Sequence, residues 1–129
     1  MKTSDIPIIE LSGTPRERGR LYGETARLLI TRAVEAWRED LGNYRRGKAR
    51  AKNQNPDAYV NEFLSQTHYM KSIQRWAPAL LEEVRGIAEG AGQDFKNMLA
   101  FQLIDEEWVF GLRRGLDKPT SKCTAFGVP

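Results

Sequence analysis

Pro15, Pro56 and Pro78 each stand where a helix would begin, and this punctuation constrains the chain more than any other feature. Proline lacks the N–H that a helix interior needs, so it is accepted at the first helical position and penalised further in. Thr14 and Asn55 precede two of these prolines, and both carry a side-chain oxygen suited to capping free N–H groups. Glu17, three residues after Thr14, completes a capping box. Ala77 precedes the third proline, and Asp94 marks a further start. The chain therefore reads as one helix after another.

The apolar spacing agrees. From Thr14 one long amphipathic helix is expected to about Gly42, with Leu21, Leu28, Leu29, Ala33, Trp37 and Leu41 as its inward stripe. Gly19 and Gly23 lie inside it, each costing about 1 kcal/mol relative to alanine. They read as tolerated weakness near the helix start, or as room for another backbone, since residues four apart share a face. Tyr44 to Asn55 reads as a polar, basic loop. A second helix opens at Asn55, with Tyr59, Phe63 and Met70 toward a core. A third opens at Ala77–Pro78, carries Leu80, Leu81, Val84, Ile87 and Ala88, and leaves through Gly90 and Gly92. A fourth follows Asp94, with Phe95, Met98, Leu99, Gln102 and Leu103 on one side. Gly111 to Ser121 reads as a loop. The β-branched and apolar residues of Ile6–Leu11 and Cys123–Val128 suit short strands at the two ends. The fold class is mostly α with short terminal strands.

Composition narrows the function. The chain has 129 residues, 40% hydrophobic and 29% charged, which is ordinary for one soluble globular domain. No apolar run reaches the roughly 20 residues of a membrane span. No secretion signal is read at the N-terminus, so the expected location is cytoplasmic. The formal charge is only +3. Arg45, Arg46, Lys48, Arg50 and Lys52 cluster, but without the aromatics or motif of a nucleic-acid site, so they read as a solvated loop. His68 has no partner motif and receives no role. Asp105, Glu106 and Glu107 point in different directions on a helix and read as a solvated helix end. Cys123, the single cysteine, excludes an internal disulfide and any multi-cysteine metal site. Neither a cofactor nor a metal is expected.

Three local patterns carry a resemblance. They are Arg18-Gly19 with Gly23 in ERGRLYGE, the stretch LLEEVRGIAEGAG from Leu80 to Gly92 with the FQLIDEEW that follows, and Cys123-Thr124 leading into a strand. In this order they resemble the N-terminal region of the isopenicillin N acyltransferase family of N-terminal-nucleophile hydrolases. The resemblance implies the helical part of a four-layer α-β-β-α fold, with residues 1–122 as an α-chain-like region and 123–129 as the start of a β chain. It implies a precursor cut by its own cysteine at the Lys122–Cys123 bond, Lys122 standing where many members carry glycine. It further implies that Cys123, as a new N-terminus, is the catalytic nucleophile on an amide or thioester carbonyl. Its α-amine, with a pKa near 7.7–8.0, would supply the base. Thr124 would continue the strand without a catalytic role. The family's other catalytic groups lie beyond the nucleophile, so the remainder of the precursor is an expected partner, a small acyl-amide is the expected substrate, and the chain by itself is expected to be inactive.

A second reading has no chemistry in it. It is a small helical interaction module in which Cys123 is inert and apolar faces bury against each other or against another copy of the chain. Binding to nucleic acid stands third.

Overall fold

The computed structural model describes residues 7–43 and 55–113 of the chain. These form α1 (Pro15–Thr25), α2 (Arg27–Asn43), α3 (Pro56–Gln66), α4 (Tyr69–Trp76), α5 (Pro78–Ala91), α6 (Phe95–Gln102) and α7 (Ile104–Arg113). The start signals act as their chemistry requires. Thr14 Oγ1 accepts from the Glu17 N–H at 3.3 Å, and Glu17 Oε2 accepts from the Thr14 N–H at 2.8 Å. Asn55 Oδ1 takes the Ala58 N–H at 2.9 Å, and Asp94 Oδ1 takes the Asn97 N–H at 3.0 Å. Pro15, Pro56 and Pro78 are the first residues of α1, α3 and α5.

The expected long first helix is two helices. The Thr25 hydroxyl donates to the Leu21 carbonyl at 2.8 Å, a back-bond that bends helices. Ala26 departs from helical angles, at φ −99° and ψ 13°. Beyond the break the buried stripe of α2 is Val34, Trp37 and Leu41, with Ile30 packed beside it. Leu28 and Leu29, expected inside, are 62% and 66% exposed, and Ala33 is exposed as well. Spacings of three and four admit both sets. Only Ile30–Val34–Trp37–Leu41 keeps to one side of a helix with 3.6 residues per turn, and Leu28 lies on the opposite side. The second expected helix is also two, because Thr67 ends α3 in an extended conformation at φ −110° and ψ 162°.

Residues 7–12 form no strand, and no strand occurs among the described residues. Ile8 is 90% exposed. Among the described residues no strand lies beside this apolar stretch to satisfy its backbone as a sheet. The second expected strand, at Cys123, lies outside the described residues.

α5 occupies the middle of the assembly and touches α1, α2, α4 and α6. One connected core joins Val34, Trp37 and Leu41 of α2, Tyr59, Val60, Phe63 and Leu64 of α3, Leu81 and Ala88 of α5, and Met98, Leu99 and Ala100 of α6. Aromatic rings fill its far end. Phe63, fully buried, meets Phe110 at 5.4 Å between centroids and Tyr69 at 6.0 Å. Trp37 meets Phe101 edge-on at 5.6 Å. Such offset and edge contacts are favoured by the ring quadrupoles. Gly92 closes α5 in the left-handed region, φ 68° and ψ 34°, where a side chain would strain the backbone. Its neighbour Gln93 donates back to the Ala88 carbonyl at 2.8 Å, which completes the helix end.

Candidate functional site

The most specific construction in the molecule is the seam between α1 and α5. Gly19 and Gly23 on α1 face Gly86 and Gly90 on α5, and all four are buried. A Cβ added to Gly19 would overlap the Glu83 carbonyl oxygen, and one added to Gly86 would overlap that of Arg16. On Gly23 it would stand 2.8 Å from the Ala91 nitrogen, and on Gly90 2.7 Å from the Glu24 nitrogen. No real Cβ comes that close. The glycine hydrogens in those places point at carbonyls across the seam, as Cα–H···O contacts worth perhaps 0.5–1 kcal/mol each. Of the two explanations for Gly19 and Gly23, the close approach of another backbone is the one observed. Gly90, expected at the helix exit, belongs to the same contact.

Ion pairs hold the seam at its edges. The Arg16 guanidinium bridges Glu89 and Glu82, the latter at 3.4 Å. Arg18 reaches Glu83 at 3.2 Å and the Gly13 carbonyl at 2.9 Å. Arg27 donates twice to the Gly90 carbonyl, at 2.8 and 3.0 Å, and so satisfies an acceptor in the last turn of α5. Across the seam Gly19 meets Glu83 and Gly23 meets Ile87, while Gly86 meets Arg16 and Gly90 meets Arg20, so the contacts advance together along both helices. This means that α1 and α5 run parallel. Glu89 raises the Arg16 guanidinium above its ordinary value, through a hydrogen bond first and its charge second. Arg16 in return holds the Glu89 carboxyl below the usual range. Glu17 is held low by its bonds from the Thr14 N–H and then from the Thr14 hydroxyl.

The second notable group is Glu107. Expected at a solvated helix end, it is 1% exposed. The Tyr59 hydroxyl donates to its Oε1 at 2.7 Å and so ties α3 to α7 through the core. The reason is positional. Glu107 lies four residues after Leu103, three before Phe110 and four before Gly111, on the inward side of α7. That spacing was in the sequence, and the two neighbouring acids hid it. Asp105 is exposed and Glu106 partly so.

An apolar groove of about 270 Å³ lies between α4, α5 and α6, with Ile73, Val84, Ile87 and Leu103 among its walls and Glu83 and Gln102 as its polar members. Leu80 also lines it and is 61% exposed. A polar hollow of about 420 Å³ lies between α3 and α6 at Asp57, Asn61, Asp94, Lys96 and Asn97. Its groups are engaged with one another and with neighbouring helices. Arg38 donates to both Asp57 and Asn97 at 2.8 Å, and Lys96 donates to Asn61 at 2.9 Å.

Cys123, Lys122 and Thr124 lie outside the described residues, as do the five basic residues from Arg45 to Lys52. His68 is exposed at the start of α4 and gives that helix no side-chain cap. No three His, Cys, Asp or Glu side chains come together as a metal set among the described residues. No helix among them is long and apolar enough to cross a membrane. What the sequence did not reveal is which acids meet which arginines, because Arg16, Arg18, Glu82, Glu83 and Glu89 acquire partners only once α1 lies on α5. No protein-family model matches the chain, and no solved structure matches it.

Proposed function

We propose that this chain is the N-terminal, helical portion of a self-processing cysteine amidohydrolase or acyltransferase precursor, with Cys123 as nucleophile. One observation supports the reading. Two of the three sequence patterns that carry the resemblance, ERGRLYGE and LLEEVRGIAEGAG, are the two sides of a single backbone-on-backbone seam. Their glycines have one joint reason to be where they are, and it concerns a fold rather than surface chemistry. In this reading α1 and α5 are scaffold, and the reaction belongs to Cys123.

The chemistry follows from the thiol. The Cys123 sulfur attacks the Lys122 carbonyl carbon, the C–N bond breaks, and the departing nitrogen takes up a proton as the free α-amine. Water then hydrolyses the resulting thioester. The freed amine, a type of group whose reference pKa is about 7.7–8.0, afterwards accepts the thiol proton when the sulfur attacks a substrate amide or thioester. The acyl-enzyme so formed passes its acyl group to water or to an amine.

The test is the intact mass of the purified full-length precursor after incubation at neutral pH, beside a Cys123→Ala variant. A break at Lys122–Cys123 in the parent and none in the variant supports the proposal. An unbroken parent whose cysteine reacts with iodoacetamide no faster than a free thiol overturns it. The exposed apolar side chains Leu28, Leu29, Trp76 and Leu80 favour a second reading, a helical module that associates through those faces. Sedimentation distinguishes it, since a monomer at all concentrations excludes self-association.

A further inference from the structure

We draw no further inference here: the strongest candidate, the apolar groove between α4, α5 and α6 lined by Ile73, Leu80, Leu81, Val84, Leu99 and Leu103, is an unpartnered face, and nothing in the structure shows what covers it.

Discussion

The α1–α5 seam and the aromatic end of the core reach close packing by opposite means. At the seam four glycines remove the side chains, and the backbones themselves meet. At the other end Phe63, Tyr59, Tyr69 and Phe110 fill the space with rings. Interiors must be dense in both cases, because a gap forfeits dispersion contacts and an overlap forces displacement. The difference lies in what each can survive. The rings can be replaced by something of similar volume at small cost but not deleted, whereas any side chain added at the glycines meets main chain.

Deletion at the ring end carries the largest expected effect. Phe63→Ala, at a site with no exposure, should cost roughly 3–5 kcal/mol, read from the urea midpoint. Phe63→Leu, which keeps much of the volume, should cost well under half of that. Equal losses in the two variants would mean that the ring end is not volume-limited.

Addition at the seam comes next. Gly86→Ala places a methyl group where the Arg16 carbonyl stands and should cost about 1–3 kcal/mol of overpacking. This opposes the gain of about 1 kcal/mol that alanine brings to a helix interior. The net loss is then up to about 2 kcal/mol, and a variant more stable than the parent would show that the backbones do not touch.

Polar loss within the rings sharpens the contrast. Tyr59→Phe keeps the ring and removes the hydroxyl that Glu107 Oε1 accepts from. The carboxyl then loses that donor, at a cost of about 1–3 kcal/mol. A melting temperature equal to the parent's would reduce Tyr59 to a filler ring.

The smallest effect is electrostatic and falls on the seam and its approach. Glu17 and Glu89 are both held below their ordinary values in the folded chain. The unfolded chain therefore takes up these protons first as the pH falls. Their stabilisation is complete above the unfolded carboxylate range, near pH 4.3, and is lost as the pH drops through the lower folded values. Both groups are open to solvent, so the change is small and salt weakens it. Acid titration of Glu89→Gln should show a shallower decline than the parent, and identical slopes would remove Arg16–Glu89 from the account.

The starts of the helices were legible because they depend on neighbours in sequence. Thr14 with Glu17, Asn55 with Ala58 and Asp94 with Asn97 are local geometry, and so is the left-handed exit at Gly92. The two missed breaks are local as well, but weak. A Thr25 back-bond and an extended Thr67 leave no compositional mark. The inward face of α2 was hard to read because Leu28 and Leu29 are about as apolar as Ile30 and Val34, so hydrophobicity alone does not choose between them, while burial is decided by the helices packed against α2. Glu107 was misread because adjacency to two acids is more visible than its spacing from Leu103 and Phe110. The pairing of α1 with α5 was half legible. Gly19 and Gly23 announced that something comes close, and only the fold identifies it as Gly86 and Gly90. The proposed reaction rests on Cys123, which lies outside the described residues and is read from the sequence alone.

A seam made of main chain has no graded settings. Side-chain contacts can drift through many compromises of shape and charge, each slightly better or worse. Here every position is either bare or blocked. Variation is pushed to the outward residues of the same helices, such as Arg20 and Leu21, where it costs little. Such a seam tells each helix what its neighbour must lack, and leaves open what that neighbour should contain.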